Sequence, residues 1–119
     1  MRTRRTTQTE ARGGPGEAMP GKLVRDFIPD LIRARGGSPV VRVLDEPAYR
    51  LALLEKLREE VDEFLASGHF EELADIVEVV LAVAELSGAS HDELERLRLR
   101  KRAERGGFEK RLFLEAPTE

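Results

Sequence analysis

From Leu73 to Leu86 the chain reads LADIVEVVLAVAEL, and this stretch constrains the fold more than any other. It has no glycine or proline, and its apolar side chains cover nearly the whole circumference of a helix, which predicts burial on most sides. Yet Glu72, Asp75 and Glu78 recur every three residues, a spacing that lines them up as an acidic stripe. No lysine or arginine lies between Phe70 and Leu86 to neutralise them locally. A buried carboxylate without compensation costs several kcal/mol, and neighbouring like charges raise that cost. An arginine from another element, protonation, or a divalent cation could supply the compensation.

The preceding helix brings more acid to the same neighbourhood. Asp45 is a suitable N-cap and Pro47 a first-turn residue, which predicts a helix to about Ala66. Leu53, Leu54, Leu57, Val61 and Phe64 repeat at helical spacing and mark its buried stripe. At about 100° per residue, Glu60 falls about 20° around the axis from Leu53, on the edge of that stripe. Glu63 flanks the same edge one turn on, and Glu59 turns further towards solvent. Ser67-Gly68 breaks the helix, and so short a connection makes its successor, from about Phe70 to Ser87-Gly88, an antiparallel neighbour. The acidic edges can then meet. Oxygens of Glu60, Glu63, Glu72 and Asp75 facing one another suit a hard ion, Mg²⁺ or Mn²⁺. Glu78 stands between three roles: ligand, supporting group, or partner of an arginine. Glu59, Glu71 and Glu85 otherwise read as ordinary surface acids.

The rest of the chain frames these two helices. Residues 1–21 carry Arg2, Arg4, Arg5 and a Gly13-Gly14-Pro15-Gly16 cluster with almost no apolar residues, the composition of a disordered basic tail. The folded domain is expected over residues 22–115. Pro29, Leu31 and Ile32 predict a short helix closed by Gly36-Gly37. Residues 39–44 are β-branched and extended, a short strand or arm. Ser90 and Glu93 have the spacing of a capping box that opens a further helix ending at Gly106-Gly107. Phe108 to Leu114 is expected to pack back. The fold class is all-α, a bundle of about four helices with a short extended arm.

Composition removes several function classes. The chain of 119 residues has no cysteine, so thiolate metal sites, disulfides and thiol catalysis are excluded. Charged residues make up 36% but the net charge is only −3, which supports neither a nucleic-acid nor a membrane partner. No apolar run reaches the roughly twenty residues of a membrane span. A cytoplasmic address is the default expectation. His69 and His91 lack ligand spacing to the acids and read as surface residues. No glycine-rich phosphate loop is present.

Glu59-Glu60-Val61-Asp62-Glu63 followed by Glu72-Leu73-Ala74-Asp75 resembles the E-E-x-x-E … E-x-x-D signature of the MazG-type, all-α nucleoside triphosphate pyrophosphohydrolases. Lys22-Leu23-Val24-Arg25-Asp26 with Ile28-Pro29, and Lys101 with Arg105-Gly106-Gly107-Phe108, are similar to terminal patterns of that superfamily's phosphoribosyl-ATP pyrophosphohydrolase-like branch. The resemblance spans about Lys22 to Leu114. It implies that Glu60, Glu63, Glu72 and Asp75 hold Mg²⁺, and that a nucleoside triphosphate is cut between its α- and β-phosphates to monophosphate and pyrophosphate. Glu59 is then a candidate base for the attacking water. Lys101 and Arg105, one turn apart in a run of cations, become candidates for phosphate contacts, with Lys22 and Arg25 as weaker substrate-side candidates. A homodimer or higher homo-oligomer acting on surplus or non-canonical nucleotides is the expectation. Phosphoribosyl-ATP hydrolysis in histidine biosynthesis, and a non-catalytic helical interaction module, are the alternatives.

Overall fold

The computed structural model describes residues 21–116, and among them the regular structure is entirely helical. Four helices follow one another: α1 (Ile28–Ala34), α2 (Glu46–Ser67), α3 (Glu71–Leu86) and α4 (His91–Arg105). The basic tail expected over residues 1–21 lies, but for Gly21, outside the described residues. Residues 39–44 make no strand. They run as an extended arm between α1 and α2, with Val40 and Val43 both 98% exposed.

Local chemistry sets the helix ends. The Asp45 carboxylate accepts from the Ala48 backbone N–H at 3.0 Å, satisfying one of the donors that a helix start leaves over. At the other end of α2, Gly68 adopts φ 69°, a left-handed turn that a residue with a β-carbon adopts only with strain, and its N–H returns to the Phe64 carbonyl. Only Gly68, His69 and Phe70 separate α2 from α3, so the chain must fold straight back. Ser90 and Glu93 form a complete capping box: the Glu93 N–H donates to Ser90 Oγ at 3.1 Å, and the Ser90 N–H donates to Glu93 Oε1 at 2.8 Å.

Two compact units divide the chain, one reaching Val83 and the other beginning at Ala84. In the first, Leu53 of α2 and Val79 of α3 are the buried apolar residues among those described. The stripe expected on α2 is narrower than its periodicity suggests. Leu53 is 2% exposed and Leu57, Val61 and Phe64 are half-buried, but Leu54 is 46% exposed. α3 likewise leaves Leu73 and Val77 open. In the second unit the segment after α4 returns to it through Glu109, which accepts from Arg102 Nη2 at 2.6 Å, but Phe108, Leu112, Phe113 and Leu114 stay exposed and are not buried as expected. Glycines at 106 and 107 end α4, and the segment beyond forms no helix that would present one apolar face.

Candidate metal centre

The acids of the two long helices do converge. Glu60 on α2 and Glu72 and Asp75 on α3 each place a carboxylate oxygen within 4.8 Å of the others. Glu60 is 2% exposed and Glu72 is 4% exposed, so two of the three acids lie almost wholly inside the protein. Spacing explains the two contributions from α3: Glu72 and Asp75 are separated by three residues and share a face. Glu60 meets them because it follows Leu53 around α2 onto the buried side.

Glu63 and Glu78 are not among the acids whose oxygens meet within 4.8 Å. Glu63 is half-buried and, with Glu59, Asp62 and Lys22, lines an open groove of about 710 Å³ along α2. Glu78 is exposed one turn beyond Asp75. His69 and His91 are exposed as expected, and His91 Nε2 faces Glu85 Oε2 at 3.1 Å. Lys101 and Arg105 lie on the last turns of α4, in the second unit, both exposed.

Cations reach the acids from two directions. From within α2, Lys56 approaches Glu60 Oε2 at 3.5 Å and Glu59 Oε1 at 3.3 Å, one turn back along the helix. From the extended segment before α1, Lys22 Nζ donates to Glu59 Oε2 at 2.9 Å and Arg25 Nη2 donates to Asp75 Oδ1 at 2.8 Å. The lysines are deeply set, with side chains 15% exposed for Lys22 and 11% for Lys56, whereas that of Arg25 is 55% exposed. Lys56 is the participant that sequence reading missed. Its signal was present, because a lysine three and four residues before two glutamates is a standard ion-pair spacing, but attention to the acids alone passes over it.

Glu59 is differently placed from the water-facing position its helical angle suggests. Both its oxygens accept from an ammonium group. Burial by itself would raise its pKa, but the hydrogen bond from Lys22, with the charges of Lys56 and Lys22, outweighs burial and holds the carboxyl below its ordinary value. An acid held this way is a poor proton acceptor, and in this arrangement Glu59 anchors two lysines. The sign of the consequence is fixed. A depressed folded pKa stabilises the protein above the ordinary value of about 4.5 and loses that contribution as pH falls towards the folded one. Glu59→Gln is therefore expected to flatten the acid limb of stability in this range, measured by urea unfolding from pH 6 to pH 3. Parallel wild-type and variant profiles would show that the ion pairs contribute nothing.

The donor set suits a hard divalent cation. Three carboxylates offer oxygen ligands only, and the geometry gathers them at one point between two helices. The flanking lysines and arginine reduce the negative charge that such an ion would otherwise neutralise.

Among known proteins, an uncharacterised protein of Mycolicibacterium smegmatis (strain ATCC 700084 / mc(2)155) is 54% identical over 46 residues, which are 39% of this chain and 47% of that protein. The match thus spans about half the length of that relative. No protein-family profile matches the chain, and no solved structure does.

Proposed function

We propose that the protein is a Mg²⁺-dependent nucleotide pyrophosphohydrolase, cleaving a nucleoside triphosphate to monophosphate and pyrophosphate. The observation that carries this reading is the meeting of Glu60, Glu72 and Asp75, two of them almost fully buried, at one point between α2 and α3. Isolated surface acids would avoid such a place, because burial and mutual repulsion both penalise it. The order of the acidic motifs, E-E-x-x-E then E-x-x-D, supports the reaction class through its resemblance to the MazG-type enzymes.

Glu60, Glu72 and Asp75 are the proposed ligands, and Glu63, one turn along α2 from Glu60, is kept as a proposed fourth ligand on the strength of the motif alone. When bound, Mg²⁺ or Mn²⁺ would neutralise phosphate charge, orient the phosphate chain and make a coordinated water more acidic. Lys22 pairs with Glu59, Lys56 pairs with Glu59 and Glu60, and Glu59 so held is an anchor for the two lysines and not the base. Lys101 and Arg105 remain the proposed phosphate contacts, on the strength of the motif alone. The test is a panel of canonical and modified nucleoside triphosphates, with phosphoribosyl-ATP included, assayed for pyrophosphate release with and without Mg²⁺. Release from at least one nucleotide, dependent on the metal, is expected. A panel with no turnover, by protein that is folded and supplied with Mg²⁺ or Mn²⁺, ends the proposal.

The same reading includes self-association. Leu51, Leu54 and Leu65 of α2 and Val77 of α3 are open to solvent, a larger apolar area than Leu53 and Val79, the buried apolar residues among those described, can account for as a finished core. A second copy of the chain is the proposed cover, giving a homodimer or larger homo-oligomer. Light scattering coupled to size exclusion should return at least twice the mass of the chain, and a monomer at micromolar concentration would count against it. No helix among the described residues is long and apolar enough to cross a membrane.

A further inference from the structure

We infer that Arg25 is a releasable internal counter-ion of the acidic centre: it occupies Asp75 when no metal is bound and is turned out to solvent when a divalent cation takes that carboxylate. The inference rests on the proposed metal-binding role of Glu60, Glu72 and Asp75, and concerns how that same centre is regulated.

Among the described residues, Lys56, Lys22 and Arg25 bring positive charge to the centre and differ in how they are held. Lys56 comes from the body of α2, and its side chain is 11% exposed. Lys22 is 15% exposed and bound to Glu59, which is outside the converging trio. Both lysine side chains are largely withdrawn from solvent. Arg25, by contrast with these two lysines, combines a direct bond to a member of the trio, 2.8 Å to Asp75 Oδ1, with a side chain 55% exposed. More than half of its side chain is already in water, against about an eighth for the two lysines. An exposed pair of this kind contributes little, and coordination to a divalent ion exceeds it.

The backbone around Arg25 permits the exchange without a larger rearrangement. Upstream, Lys22 is pinned to Glu59 at 2.9 Å. Downstream, the Arg25 carbonyl accepts from the Ile28 N–H at 3.0 Å, closing the turn that leads into α1. The segment is thus held on both sides, and the long arginine side chain can swing while its Cα stays. A guanidinium and a divalent cation on one carboxylate also repel one another, which makes their occupancy competitive.

Competition sets the sign of the test. Mn²⁺ affinity of the full chain, measured by titration calorimetry, is expected to be about two- to fivefold tighter in Arg25→Gln than in wild type, the fold-change that an exposed ion pair corresponds to. Arg33→Gln, which removes a guanidinium paired to Asp30 on the exposed face of α1, should bind as wild type does. A residue that merely supported the centre would give the opposite sign, weaker binding on removal. Equal or weaker Mn²⁺ affinity in Arg25→Gln overturns the role of Arg25 while leaving the metal centre intact. No Mn²⁺ binding by any of the three proteins overturns both. Should the variant not fold, the wild type decides by itself: saturating Mg²⁺ should speed exchange of the Arg25 guanidinium hydrogens with water in ¹⁵N-resolved spectra, and unchanged exchange on metal-loaded protein overturns the inference.

Discussion

Asp75→Asn is expected to lower pyrophosphate release by at least about a thousandfold on whichever nucleotide the wild type prefers, with little loss of stability. The substitution keeps the shape of the side chain and removes one negative charge from the three that converge with Glu60 and Glu72. A thousandfold corresponds to about 4 kcal/mol of barrier, within the several kcal/mol that a well-held metal contributes to a phosphoryl-transfer transition state. Asp75 is the informative choice within the trio because it is only partly buried and already pairs with an exposed arginine. Its neutralisation should therefore leave α2 and α3 folded, where changes at Glu60 or Glu72 disturb the interior. The expected pattern is activity near background, Mn²⁺ affinity lowered by at least tenfold, and a helical circular dichroism spectrum unchanged. An Asp75→Asn protein that turns over within a few-fold of wild type would remove the carboxylates from the reaction.

Lys56→Met is expected to cost about 3 kcal/mol of stability by urea unfolding without metal. Lys56 lies within 3.5 Å of Glu60 and 3.3 Å of Glu59, with a side chain only 11% exposed. Methionine fills similar space without charge, so the effect reads the electrostatics and not a cavity. Taking one partner from a buried ion pair commonly costs 3–5 kcal/mol, and the 3.5 Å separation places this pair at the lower end. The second half of the expectation is specific to a metal centre. With less positive charge nearby, the acids should bind a divalent cation more tightly, so 5 mM Mg²⁺ should stabilise Lys56→Met by more than it stabilises wild type. Unfolding midpoints that move equally in both proteins, or a variant as stable as wild type without metal, would mean that Lys56 does not share the field of the three acids.

These two substitutions probe parts of the molecule that the sequence reveals to different degrees. Helix limits were legible because they depend on local chemistry. Asp45, Gly68 and the Ser90–Glu93 pair act within one turn of themselves, and the observed caps follow the spacing of those residues. The acidic stripe on α3 was legible for a related reason: three-residue spacing fixes a shared face whatever the helix packs against. The burial of Glu60 also followed from periodicity, since its angle to Leu53 is a property of the helix alone.

Partners across the fold were another matter. The bond from Arg25 to Asp75 spans fifty positions of sequence, and that from Lys22 to Glu59 spans thirty-seven, and no periodicity links residues so far apart. Likewise the choice of Glu60, Glu72 and Asp75 as the converging set, with Glu63 and Glu78 outside it, depends on how two helices meet. The open apolar faces of α2 and α3, and the exposed residues from Phe108 to Leu114, carry the same lesson in reverse. A sequence states which side chains avoid water. How much of that surface one chain can cover is decided only when its few helices are packed, because the number of neighbours available sets the area buried.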